Sequence, residues 1–255
     1  MSNVHALPNS QTPVGVVPIV CLPYAGGSAN AFHSWTFDPV DRLIVRPVEL
    51  PGRGARFSET PHRSFKTLIP ALAAELHQDM NGPFALFGHS MGALIAFELC
   101  RHFRRCGKRL PIHLFVSGCR APQCQHPNSD GAWYRAPLPI FLDRLRKLNG
   151  TPAAVLENRE LLQAMLPFLR ADFRMVHQYH YVPEPRLSLP ITAFGGRNDS
   201  QVPVTDLRAW EQQTSVQLRS YVFPGDHFFL REQKASVVEQ ILESSRSFTH
   251  EDVPV

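Results

Sequence analysis

Six short apolar runs alternate along this chain with segments of helical spacing, and that alternation restricts the fold more than any other pattern in it. The runs cover residues 16–23, 43–50, 84–87, 112–118, 189–195 and 216–223. Most are apolar at consecutive rather than alternate positions, as in strands covered on both faces. Helical spacing marks residues 64–80 (Leu68, Ile69, Leu72, Leu76), 91–103 and 235–244. Parallel strands need long crossovers, and helices supply them. The expected fold class is therefore α/β, a mostly parallel central sheet with helices on both faces. The rhythm breaks once. Residues 121–188 are rich in Pro, Arg, Leu and aromatics, contain no clear strand, and read as helices over 138–148 and 159–179. A helical insertion at that place sits over the C-terminal edge of the strands, where such sheets bind ligands, so it is expected to act as a lid. The expected division is a flexible arm at 1–14, a core at 15–120 and 189–247, the lid insertion at 121–188, and a tail at 248–255.

The third run ends in Gly88-His89-Ser90-Met91-Gly92 and passes directly into a helix. This is G-x-S-x-G between a strand and a helix, the context in which the pattern forms a nucleophile elbow. The glycines leave room where strand and helix crowd together, and the helix N-terminus favours developing negative charge. A serine needs a base, and the base needs an acid to orient it, in the chain order Ser, Asp, His. Asp199 follows the fifth run in Gly196-Arg197-Asn198-Asp199, and His227 follows the sixth in Pro224-Gly225-Asp226-His227. Residues at successive strand ends reach the same sheet edge as Ser90, so Ser90, Asp199 and His227 are the expected triad. Asp226, Asp206, Glu211 and Asp172 compete for the acid role, and Asp226 fits a turn or cap better. His89 reads as structural, near the substrate entrance. The oxyanion would be held by the N–H of Met91, after the serine, and by one from the loop Pro23-Tyr24-Ala25-Gly26-Gly27, with Ala25 the expected donor. Tyr24 and Gly26 on that loop, and Phe228 beside the histidine, are expected substrate or carrier contacts.

Other classes find little support. A net charge of +4 does not by itself indicate nucleic acid binding. The one basic cluster, residues 101–109, suits the C-terminus of a helix stopped by Gly107. Its alternative reading is a patch, with Arg104, Arg105 and Lys108, for an acidic partner. No run is long enough to span a membrane, and residues 1–13 lack the order of a signal peptide. Five cysteines without C-x-x-C spacing read as free thiols of a reducing cytoplasm. Neither H-E-x-x-H nor a comparable cluster points to a metal. A cytoplasmic monomer is expected.

The pieces "CLPYAGGSANAF", "VELPGRGARF", "FALFGHSMGALIAFEL", "FGGRNDSQVP" and "FPGDHFFL" resemble the type II thioesterases, the stand-alone editing hydrolases of nonribosomal peptide and polyketide synthesis. The resemblance runs from about residue 16 to residue 245. It implies an α/β-hydrolase fold with Ser90 as nucleophile, His227 as base, Asp199 as orienting acid, Ala25 and Met91 as oxyanion donors, and a mobile lid. It also implies a phosphopantetheine-borne acyl group as substrate, no cofactor of the enzyme's own, and acyl or peptidyl carrier domains as partners, whose usual acidity would suit the basic cluster. Three alternatives stay open: a medium-chain acyl-carrier thioesterase of fatty-acid synthesis, a hydrolase of small oxygen esters, and a binding protein on the same fold without turnover.

Overall fold

The computed structural model describes residues 12–13, 15–79, 82–126, 131–246 and 248. Except for residues 12, 13 and 248, the arm at 1–14 and the tail at 248–255 lie outside the described residues. The six strands are β1 Val17–Leu22, β2 Leu43–Pro47, β3 Ala85–His89, β4 His113–Ser117, β5 Ile191–Gly196 and β6 Leu218–Phe223. They form one sheet in the order β2-β1-β3-β4-β5-β6, and every neighbouring pair is parallel. β2 is an edge strand that ends at Pro47, whose missing N–H costs no bond to β1: the next ladder bond is donated by the Val48 N–H to the Cys21 carbonyl at 2.9 Å.

Helices α1 Phe65–Asp79 and α2 Met91–Arg105 cover one face of the sheet with Val20, Leu22, Leu86, Leu114 and Ala193 beneath them. The opposite face presents Ile19, Cys21, Phe87, Phe115 and Phe194. Three further helices lie between β4 and β5: α3 Leu138–Leu148, α4 Ala153–Glu157 and α5 Arg159–His177. Sequence spacing locates α3 and α5 but not the five-residue α4, which is too short to show a period. Asn158 caps α5 by accepting from the N–H groups of Glu160 and Leu161. Tyr134, Phe141, Leu145, Leu156, Leu162, Phe168 and Leu169 give this insertion an apolar cluster of its own. The last helices are α6 Val204–Arg208 and α7 Lys234–Ser245, and α7 packs Val237 and Ile241 against the second face. Among the described residues no helix is long and apolar enough to cross a membrane.

Gly107 ends α2 as its place in the sequence predicts. It turns left-handed at φ +61, and the Lys108 N–H reaches back to the Phe103 carbonyl at 2.8 Å. The cations before it are partnered within the chain. Arg101, Arg104 and Arg105 all pair with Glu184 on the segment leaving the insertion, and Lys108 Nζ lies 3.1 Å from His77 Nε2. The Glu184 pairs tie the C-terminal end of α2 to the far side of the insertion, and the Lys108 contact ties it to α1.

His113, at the start of β4, stacks on Phe115 and lies 2.9 Å from Thr192 Oγ1. Burial pushes its imidazole down to about 3, with the Arg219 charge a lesser cause. The unfolded chain takes up that proton near pH 6.5 and the folded chain does not, so the folded state loses stability as pH falls through this interval. Between pH 6.5 and 5.5 the loss is about 1 kcal/mol, because the unfolded imidazole goes from half to mostly protonated over that interval. His113→Phe is expected to flatten the dependence of thermal unfolding on pH in that interval by one proton. An unchanged slope would show that His113 does not carry it.

Candidate active site

β3 is buried along its whole length, and Ser90 stands between its last residue and the first residue of α2. Its backbone lies at φ 54 and ψ −116, a conformation that L-residues avoid. The surroundings enforce it. The Ser90 N–H is held by the Ser117 carbonyl at 2.8 Å, and the Ser90 carbonyl accepts from Ala93 at 3.0 Å. A β-carbon on Gly88 would stand 2.1 Å from the Gly92 carbonyl oxygen, and one on Gly92 would stand 2.1 Å from that of Leu22. The glycines of the motif are therefore spaces through which β1, β3 and α2 touch.

Asp199 and His227 lie in the loops after β5 and β6. Those loops are joined by hydrogen bonds from Arg197 N–H to Phe223 O at 2.7 Å and from Asn198 N–H to Gly225 O at 2.9 Å. Across this junction Asp199 Oδ2 meets His227 Nδ1 at 2.8 Å. Asp199 Oδ1 accepts from the N–H groups of Gln201 at 2.8 Å and Val202 at 3.2 Å, so both carboxylate oxygens are occupied. Both side chains are largely buried. With Nδ1 directed at the carboxylate, the lone pair of the imidazole falls on Nε2. Asp226 accepts from the Phe228 N–H at 2.8 Å, the cap its position predicts. Asp206 pairs with Arg120 instead of a histidine.

His89 lies beneath His227, with ring centroids 5.2 Å apart, and its Nδ1 is 3.0 Å from Ser117 Oγ. Burial, and after it the charge of His227, hold its imidazole well below the ordinary range. His89 is a neutral floor beneath the His227 ring.

A cavity of about 440 Å³ opens at the C-terminal edge of the sheet. Ser90, Met91, Ala25 and His227 all line it, with Trp133, Phe173, Val176 and His177 supplied by the insertion. A smaller space beside it is lined by Tyr24, Ala25, Ser90, His227 and Phe228. Tyr24 and Phe228 thus stand next to the serine, and their rings meet edge to face at 4.9 Å. Gly26 is turned elsewhere: its N–H donates to Asp172 at 2.8 Å, and its α-carbon faces Leu169 of α5. Arg104, Arg105 and Lys108 lie at the other end of α2 from Ser90. Among the described residues no group of three or more His, Cys, Asp and Glu is placed to hold a metal ion.

Sequence reasoning missed one part of this neighbourhood. Asp172, weighed as an alternative acid for the histidine, instead forms a buried ion pair with Arg53 at 2.7 Å. The arginine had a signal, since it stands in the Leu-Pro-Gly-Arg stretch. Asp172 had none, because its partner lies 119 residues away.

Comparison with known proteins places this geometry in context. A family model described as "Thioesterase domain" matches residues 17–245. The chain is 42% identical over 221 residues to gramicidin S biosynthesis protein GrsT of Aneurinibacillus migulanus, covering 87% of this chain and 86% of that one. It is 31% identical over 229 residues to the medium-chain S-acyl fatty acid synthase thioesterase of Homo sapiens, covering 86% and 83%. Among solved structures, the type II thioesterase BorB from the borrelidin biosynthetic cluster superposes with a TM-score of 0.80 at 35% identity, covering 92% of this chain and 94% of that one.

Proposed function

This chain belongs to the thioesterase family, and from that membership we propose that it hydrolyses acyl groups from the phosphopantetheine thiols of carrier proteins, clearing stalled or misprimed units in nonribosomal peptide or polyketide synthesis. The observation that carries the reading is the meeting of Ser90, Met91, Ala25 and His227 on one cavity wall, with Asp199 hydrogen-bonded behind the histidine. The role in natural-product assembly is supported by similarity to GrsT, which exceeds that to the fatty acid synthase enzyme.

In the proposed mechanism, Ser90 Oγ attacks the thioester carbonyl carbon as its proton passes to His227 Nε2. Asp199 holds the imidazole in the right tautomer and stabilises the imidazolium. The tetrahedral oxyanion is met by the N–H groups of Met91 and Ala25. Met91 is the first residue of α2, so its N–H has no partner within the helix and lies at the positive end of the dipole. The C–S bond breaks, and His227 returns the proton to the departing thiol. Water then attacks the Ser90 ester by the same route and frees the acid. The helical insertion serves as the lid over this chemistry, which the side chains it places on the cavity wall support, Trp133, Leu148, Phe173, Val176 and His177 among them.

The test is turnover of carrier-bound thioesters by the intact chain, with acyl groups from acetyl and aminoacyl to dodecanoyl. Short acyl and aminoacyl carriers are expected to turn over faster than dodecanoyl carriers, and carrier thioesters faster than the matching oxygen esters. A preference for medium chains would favour the fatty-acid reading, and no turnover of any thioester would favour a binding protein.

A further inference from the structure

The loop that carries Ala25 is held from behind by a buried ion pair. Residues Tyr24 to Gly27 form a turn closed by the Gly27 N–H on the Tyr24 carbonyl at 2.8 Å, with Gly26 at φ +80. Such a turn uses only the N–H of its fourth residue for closure, so the amides between are positioned by outside groups. Asp172 Oδ2 accepts from the Gly26 N–H at 2.8 Å. The same carboxylate takes both Nη atoms of Arg53, at 2.7 and 2.8 Å, and Arg53 Nη1 also donates to the Gly27 carbonyl at 2.9 Å. Phe168, one turn from Asp172 on α5, covers the guanidinium at 4.5 Å. Arg53 is 3% exposed and Asp172 0%, so water does not compete for these bonds. Glycine is favoured at position 26 because its backbone lies at φ +80, a conformation that L side chains rarely adopt.

We propose that Arg53 and Asp172 are positioning residues for the oxyanion site: together they fix the peptide after Ala25 and the peptide after Gly27, on either side of the turn's own closing bond, and so set where the Ala25 N–H points. Neither touches the reacting atoms. The inference rests on the reading of Ala25 as an oxyanion donor. Because Asp172 belongs to the insertion and Arg53 to the core, the same bonds fasten α5 to the catalytic loop, so any opening of the insertion falls to α3 and α4.

Removing one partner of a buried pair strands a charge, whereas replacing both by apolar residues of similar size is tolerated far better. The informative protein is therefore the full chain carrying Arg53→Met with Asp172→Leu, beside Asp172→Asn, which keeps an acceptor for Gly26. The double variant is expected to retain the fold by circular dichroism and lose about 10²-fold in kcat on an acyl-carrier thioester, with KM within about threefold. Affinity for a trifluoromethyl ketone, which forms a tetrahedral oxyanion adduct, should fall in parallel, while affinity for a non-hydrolysable thioether analogue should not. Asp172→Asn, which keeps an acceptor for the Gly26 N–H but leaves the Arg53 charge without its partner, should also lower kcat and ketone affinity while leaving thioether affinity unchanged. A folded double variant with wild-type kcat and ketone affinity would overturn the proposal. So would equal losses for ketone and thioether in Asp172→Asn, which would mark a merely structural role. Wild-type turnover abolished by Ser90→Ala would show in either case that the reading of the site itself stands.

Discussion

Ser90→Ala is expected to lower kcat for thioester hydrolysis by about 10⁴-fold or more while leaving the fold intact. Alanine keeps the β-carbon and loses only the hydroxyl, so the strain at φ 54 changes little and the contacts of Gly88 and Gly92 are untouched. The remaining rate would come from the oxyanion donors and His227 acting on bound water, which nucleophile deletions leave in place. Thiol release from an acyl-carrier thioester, with thermal unfolding of the same preparation, measures both halves of this expectation. Wild-type turnover by a folded variant would remove Ser90 from the mechanism.

Gly92→Ala should do the reverse, damaging the fold first and activity through it. Its new methyl would stand 2.1 Å from the Leu22 carbonyl oxygen and 2.8 Å from that of Pro23, both backbone atoms with no rotamer to escape into. β1 and the start of α2 would have to separate. Overpacking of this kind costs about 3 kcal/mol. For a chain of 255 residues that is a fall in Tm of roughly 6–12 °C. The loop proposed to carry an oxyanion donor leaves β1 at this point, so remaining activity should fall as well. A Tm within about 2 °C of wild type would mean that the close approach is not as drawn.

The sheet was legible because the four inner strands β1, β3, β4 and β5 are buried along their whole length, which leaves apolar residues at most positions, and because glycine or proline ends most runs. Ser90, Asp199 and His227 were legible for a related reason. A parallel sheet brings all its strand C-termini to one edge, so three residues far apart in sequence could be expected together once the strands were assigned. Two things were hidden. α4 spans little more than one turn and carries no period. The Arg53–Asp172 pair joins a loop to a helix across the insertion, and nothing local to either residue marks its partner. The basic cluster was half legible: the helix C-terminus and Gly107 could be read, but not that Glu184 would draw Arg101, Arg104 and Arg105 together.

The chain has three tryptophans, and they are unequally placed. Trp210 is 0% exposed and Trp35 6%, both deep in the packing of the sheet. Trp133 belongs to the insertion, packs against Phe173 with tilted rings 4.6 Å apart, and forms part of the cavity wall. Indole emission follows the polarity around the ring, so the protein carries an optical reporter in the one place where an acyl group would displace water. Trp35 and Trp210, buried away from the cavity wall, should set a constant background, and the emission of Trp133 should shift when an acyl group enters.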